Sequence, residues 1–299
     1  MKPDAGILFA IGAFALWGFF PVYWKLLLNV PADQILAHRM VWSLVFVCAV
    51  LGVQQKWSWV RNLTLKVASL NLVGSVFLTS NWFVYIWAVN SGHVVETALG
   101  YFINPLMSVV LGALFLNERP RRMQWAAIGT AACGVVYLSV VHGTPPWITL
   151  FLAVSFAVYG LFKKKAHLGA AEGLALETGL IFVPALVYLM VMEFKGQGQF
   201  GHADLRTNAL LVFSGVATAL PLLFFAAAAR RLTLTSLGIM QYLAPSIQFA
   251  LGVFLYNEPF TLQRFIGFGV IWAGVALYAI ELVLYRRKSN KLSKALIQP

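Results

Sequence analysis

Apolar stretches long enough to cross a hydrocarbon core follow one another along almost the whole chain, and such a crossing takes about 20 residues for a core roughly 30 Å thick. No other feature constrains the fold as strongly. Backbone placed in lipid must hydrogen-bond to itself, so stretches of this length read as helices. Of the 299 residues, 60% are hydrophobic and 11% charged, against about 45–50% apolar and ~25% charged in soluble domains. A water-soluble fold is excluded, and the membrane segments are the body of the protein rather than an anchor for something else. The net charge of +12 does not point to nucleic acid, because the basic residues sit in short loops between apolar runs and not on one folded face. Cys48 and Cys133 both fall inside apolar runs, which suggests neither a disulfide framework nor a metal site. Lys2 followed by an apolar run with Ala13-x-Ala15 has the outline of a signal peptide, but the run continues through Trp17 to Trp24 and reads as a retained first helix.

Polar punctuation divides the chain into ten expected spans: 6–24, 34–53, 67–90, 95–116, 123–141, 146–163, 173–192, 207–229, 234–256 and 262–285. Trp57, Trp59, Trp125 and Trp147 lie at or near their ends, where indole rings favour the headgroup region. Seventeen Lys and Arg fall in one set of alternate loops and four in the other, with Arg39 inside a span, which accounts for all 22. Positive charge stays on the cytoplasmic side, so both termini and the Lys163 to Lys165 loop are expected there.

The chain also repeats itself. A shift of 140 residues lays Pro105 on Pro245, Leu111-Gly112 on Leu251-Gly252, Asn117-Glu118 on Asn257-Glu258, Gly129 on Gly269 and Gly134 on Gly274. A slightly different shift matches Phe14-x-x-Trp17-Gly18 with Phe156-x-x-Tyr159-Gly160. An odd number of spans per copy makes the second copy enter the membrane upside down, the plan of many secondary transporters. The expected fold is therefore an all-α integral membrane protein of ten transmembrane helices in two inverted five-helix repeats, 1–142 and 143–286, with a basic cytoplasmic tail at 287–299.

Several segments together resemble a known family. They are Gly100-Tyr101-Phe102-Ile103-Asn104-Pro105-Leu106, Asn117-Glu118-Arg119, Arg122-Met123-Gln124-Trp125, Pro31-Ala32-Asp33 with His38-Arg39, and Asn81-Trp82 with Ile86-Trp87-Ala88-Val89-Asn90. In these the chain is similar, over nearly its whole length, to the RarD branch of EamA-type proteins in the drug/metabolite transporter superfamily. The resemblance implies ten helices in two inverted halves, a bacterial inner-membrane location and solute export or exchange. The branch name is associated with chloramphenicol sensitivity, which does not identify a substrate. The second half departs from the signature, with Gln241-Tyr242 where the first has Tyr101-Phe102.

No constellation for catalysis is visible, and the chain is not expected to be an enzyme. There is no H-E-x-x-H and no Gly-rich phosphate loop with its Lys, so no cofactor is expected, nor a self-contained ATP-driven pump. Ionisable groups inside spans are costly, about 2.5–3.5 kcal/mol at a helix centre on insertion scales, and point to function. Arg39 and Glu177 are the clearest cases, at nearly equivalent places in the two halves, with His38 beside Arg39. They are expected at different depths and not paired with each other. Arg39 either snorkels outward or attracts anionic, carboxylate-bearing solutes. Glu177 either packs against the Lys163 to Lys165 cluster or, like His38, carries a proton in coupling or gating.

Pro105 and Pro245 are expected near the middle of the fourth and ninth spans, where each deprives the carbonyl four residues back, at Tyr101 and Gln241, of its donor. Matched irregular helices in inverted halves suggest a central site, with Tyr101, Asn104, Gln241, Tyr242 and Gln248 nearby and Trp17, Tyr159, Asn81, Trp82 and Tyr85 as further lining. Arg39 completes the candidate substrate-binding set. Gly129 with Cys133, and Gly269 with Ala273, make small-x-x-x-small steps expected to serve internal packing, with a dimer face as the alternative. Glu118 and Glu258, at opposite membrane surfaces, read as structural. The partners implied are a small-molecule solute and membrane lipid, with no nucleic acid, and a monomer is expected before a homodimer. The favoured reading is a solute transporter working by alternating access. Its rival is a non-transporting sensor or assembly subunit, for which no sizeable soluble domain is present; uncoupled and proton-coupled transport stay open.

Overall fold

The computed structural model describes residues 3–297 apart from 56, 118, 143–145, 167, 230 and 233–239. The helices run α1 (Pro3–Gly18), α2 (Phe20–Lys25), α3 (Ala32–Val53), α4 (Ser58–Arg61), α5 (Leu65–Asn90), α6 (Val94–Phe115), α7 (Arg122–His142), α8 (Trp147–Ala166), α9 (Ala170–Phe194), α10 (Leu205–Ala229), α11 (Leu243–Ala250) and α12 (Leu262–Ile297). Among the described residues, eight helices are long and apolar enough to cross a membrane, and the apolar stretches Trp147–Phe162 and Leu243–Leu255 are shorter. The ten expected spans thus meet eight long helices, and part of the expected 234–256 span lies outside the described residues.

Local chemistry explains the boundaries. The Thr64 hydroxyl accepts from the Val67 N–H and starts α5. At the end of α5, Gly92 takes a φ of 81°, and the His93 N–H closes onto the Ala88 carbonyl at 2.8 Å. Asn117 and Asn257, matched in the 140-residue shift, both adopt left-handed backbone with φ of 53° and 50°, a conformation Asn tolerates better than most residues. Pro245, expected near the middle of the ninth span, follows a break in helix at Gln241–Tyr242, and residues 234–239 of that span lie outside the described ones. It lies in the first turn of α11, where a missing N–H costs no helical bond, whereas Pro105 does lie inside continuous α6. Helix α12 runs on to Ile297, through the basic residues expected as a cytoplasmic tail, a stretch that includes neither Gly nor Pro. Likewise Lys163 to Lys165 end α8 rather than form a loop.

The first expected span is broken at Gly18–Phe19. Pro21 has no N–H to offer the Trp17 carbonyl, and the Gln248 side-chain amide of α11 donates to it instead at 3.0 Å. A Cβ on Gly18 would come 2.8 Å from Cβ of Ile247, so the absent side chain lets α1 and α11 touch there.

Helix α7 packs along α12; α8 lies against α5 and α6; α1 lies against α10 and α11; α3 joins α9 and α10; α5 meets α9; and α6 meets α11. Exchanging each helix for its counterpart about 140 residues away leaves this neighbour pattern unchanged. The α7–α12 seam closes through Gly134 and Gly274, where added Cβ atoms would sit 2.8 Å from the Gly267 carbonyl oxygen and 2.7 Å from that of Ala127. Gly129 and Gly269 have nothing within 4 Å of such a Cβ, and Cys133 and Ala273 are exposed, so the expected small-residue steps face away from this seam. Large apolar side chains such as Leu114, Val140, Val183 and Phe254 point outward while Arg39, Asn81, Glu177 and Gln248 are buried, which suits a lipid surround. Trp57, Trp125 and Trp147 are exposed at helix ends, whereas Trp59 packs against the core.

Gly274→Ala should therefore destabilise the detergent-solubilised protein by about 1–3 kcal/mol through overpacking, and Gly129→Ala should leave it within ~0.5 kcal/mol or slightly stabilised. Equilibrium unfolding of the two variants side by side measures the difference.

Candidate functional site

Helix α3 carries His38 and Arg39 into the protein interior, and α5, α2 and α10 close around the arginine. Only 2% of Arg39 is exposed, so it does not snorkel outward. Its guanidinium carbon lies 3.7 Å from the centre of a Trp82 ring, 5.1 Å from Trp24 and 5.8 Å from Phe20. Such stacking over aromatic faces is worth about 2 kcal/mol when desolvated. Arg39 Nε donates to the Thr218 hydroxyl at 2.7 Å, and that hydroxyl donates onward to the Ser214 carbonyl at 2.8 Å. Arg39 Nη1 is buried with no hydrogen-bond partner, and no carboxylate forms an ion pair with Arg39 among the described residues. A buried charge without a counter-charge costs several kcal/mol and is retained where something else requires it.

Tyr23, Tyr85 and Tyr101 lie within Coulombic range of the guanidinium. The Tyr101 hydroxyl donates to Asn81 Oδ1 at 3.2 Å, and Asn81 Nδ2 reaches across to the Leu152 carbonyl and the Ser155 hydroxyl of α8. Asn81 thus ties α5 and α6 to α8. Tyr85 and Tyr101 meet edge to face with centroids 5.7 Å apart.

Glu177 belongs to a neighbouring cluster. The Tyr159 hydroxyl lies 3.2 Å from both of its carboxylate oxygens. Met40, Ser75, Leu78, Thr79, Trp82 and Thr178 line a small cleft with it. Trp82 is common to both places, with Arg39 over its ring and the Glu177 cleft at its edge. The side chains of Lys163 to Lys165 lie outside the described ones, as does Glu118.

The remaining candidates are dispersed. His38 packs on Phe200, 5.1 Å between ring centroids. Asn104 bonds within its own helix, its Oδ1 accepting from Ser108. Gln241 is half-buried in the turn before α11, and Tyr242 stacks on Phe102 at 6.1 Å with its hydroxyl unpartnered. Trp17 and Gln248 are joined through the Trp17 carbonyl.

Sequence reasoning missed Phe20, Trp24 and Thr218, which carried no signal of their own. It also missed Glu281, which did, being acidic inside an expected span. Its carboxylate binds Arg121, Nη2 donating to Oε2 at 2.8 Å, and Arg121 stacks on Tyr285, which clasps α7 to α12 and holds Arg121 protonated. Glu258 has the structural role expected of it. Its two oxygens accept from the Val94 and Val95 N–H groups at 2.7 and 2.8 Å, capping α6 from across the molecule.

The model of the EamA-like transporter family matches this chain twice, over residues 4–140 and 146–280. The chain belongs to that family. Within it the RarD branch is the match: Protein RarD of Streptomyces exfoliatus is 44% identical over 95% of this chain and 91% of its own length. Protein RarD of Escherichia coli strain K12 is 40% identical over 96% and 97%. The uncharacterized transporter YojE of Bacillus subtilis strain 168 is 46% identical over 95% and 97%. A solved crystal structure 19% identical to the chain matches with a TM-score of 0.59, over 96% of this chain and 99% of that one, and supports the fold alone. This RarD-type chain is thus a multi-pass membrane transporter of the drug/metabolite transporter superfamily and not an enzyme.

Thr218→Val removes the acceptor for Arg39 Nε and leaves a buried charged donor unpaired. A loss of about 1–3 kcal/mol in stability is expected, read as a lower melting temperature in detergent, with Thr218→Ser close to the parent.

Proposed function

We propose that the chain is a secondary transporter that moves a small metabolite or drug-like solute, in the export direction, by alternating access around a site between its two halves. In this reading ten spans form two inverted five-helix halves, 1–142 and 143–286, in the bacterial inner membrane with both termini cytoplasmic. The exchange-symmetric neighbour pattern and the twofold match to the family model support it, since inverted halves can trade inward- and outward-open forms about one axis.

The observation that carries the reading is Arg39. A buried cation with a free Nη1, held by Trp82 from the first half and Thr218 from the second, is placed where relative motion of the halves would be felt. Asn81, Trp82, Tyr85 and Tyr101 form the polar and aromatic wall beside it. Glu177, with Tyr159, is the group suited to carry a proton, and Trp17, Asn104, Gln241, Tyr242 and Gln248 are further candidates for solute contact. His38 belongs to the outer mouth beneath Phe200, and Pro105 and Pro245 mark matched places in α6 and α11.

Proteoliposomes holding the purified chain, assayed for counterflow of a solute panel with and without a pH gradient, test this. Arg39→Gln should lower flux at least tenfold at normal abundance, and Glu177→Gln should remove any dependence on the gradient. No flux of any solute through folded, correctly inserted protein refutes the transport reading, and unchanged gradient dependence in Glu177→Gln removes that residue from coupling.

A further inference from the structure

Three buried polar groups in and around the aromatic box lack partners: Arg39 Nη1, Trp24 Nε1 and the Tyr85 hydroxyl. All three residues are at most 2% exposed. The guanidinium carbon lies 5.1 Å from Trp24's ring centre, and Tyr85 belongs to the same buried cluster as Trp24. Arg and Trp nitrogens only donate, and a phenol donates readily. Buried donors left unpaired are destabilising, more so when charged, so the unpaired guanidinium nitrogen with two further orphaned groups around it marks a site whose acceptor comes from outside the chain.

From these groups we infer that the box binds the carboxylate of a monoanionic solute with an apolar, ring-sized body, an inference that rests on the transport reading above. Two carboxylate oxygens offer about four lone-pair sites, enough for all three donors. One charge fits because Arg39 is a single cation to which no carboxylate is paired among the described residues. A carboxylate makes the desolvated site neutral, whereas a phosphate dianion leaves it one negative charge in excess. An ammonium on the solute is disfavoured by repulsion from the buried Arg39 cation, to which no carboxylate is paired among the described residues. The Phe20, Trp24 and Trp82 rings that frame the cation supply the apolar wall for the solute's body.

Calorimetric titration of the purified full-length chain in detergent with benzoate, phenylacetate, phenylacetamide, phenyl phosphate and phenylalanine tests the assignment. At least one of the two acids should bind tenfold or more tightly than the amide, the phosphate and the amino acid. Tyr85→Phe and Trp24→Phe, each keeping its ring, should weaken acid binding about tenfold, the loss of one hydrogen bond to a charged group, and leave amide binding unchanged. Arg39→Gln should erase the preference for the acid. Equal affinity for acid and amide, unchanged acid affinity in both ring-preserving variants, or no binding of either acid overturns the assignment. If neither acid binds while proteoliposomes still carry another solute, the carboxylate site fails and the transport reading stands. Acid binding with no flux of any solute leaves the site in place and refutes transport.

Discussion

Inside a bilayer no water is at hand to bond an exposed N–H or C=O, and the rest of this structure follows from that one scarcity. Serine and threonine hydroxyls turn back onto carbonyls of their own helices, as Ser75 does to Asn71, Ser139 to Val135 and Thr178 to Leu174. Where Pro21 strands the Trp17 carbonyl, a glutamine from α11 bonds to it. Where α6 begins with bare N–H groups, Glu258 reaches them from a distant loop. Among the buried polar groups left without partners, Arg39 Nη1 is the charged one.

The polar contacts also decide which helices can move relative to which. The α7–α12 pair is closed by glycine-mediated contact and clasped by Arg121 and Glu281, so it behaves as a stiff post. Asn81 joins α5 and α6 to α8. Arg39, in contrast, meets α10 through one hydroxyl and the aromatic box through ring faces, contacts that are individually modest and non-covalent in direction.

Much of the fold could be read from residue order because the membrane makes a one-dimensional property, apolar run length, decide helix placement. Arg39 and Glu177 were conspicuous for the same reason, as ionisable groups in apolar runs, and Asn117 and Asn257 could be matched by spacing alone. Glu281 is equally conspicuous, an acidic residue in an apolar run. Trp24, Phe20 and Thr218 were not legible, since an aromatic or a threonine in a membrane helix faces lipid, packing or solute with nothing local to choose among them. The small-residue steps at Gly129 and Gly269 misled because helix rotation depends on neighbours: Gly134 and Gly274, a turn and more further on, are the ones at the crossing.

Residue order by itself determined that this is an all-helical membrane chain with an internal repeat, because hydropathy and a 140-residue self-match survive without any knowledge of contacts. Tertiary structure alone decided that α1 breaks at Gly18, that Pro245 falls in the first turn of a helix, and that α12 runs on through the basic tail. It alone placed Trp24, Trp82 and Thr218 around Arg39. The reason is physical: run length sets whether a segment is a helix, but which face of that helix meets which partner is settled only when donors, acceptors and ring faces from distant segments compete for one another in a solvent that offers none.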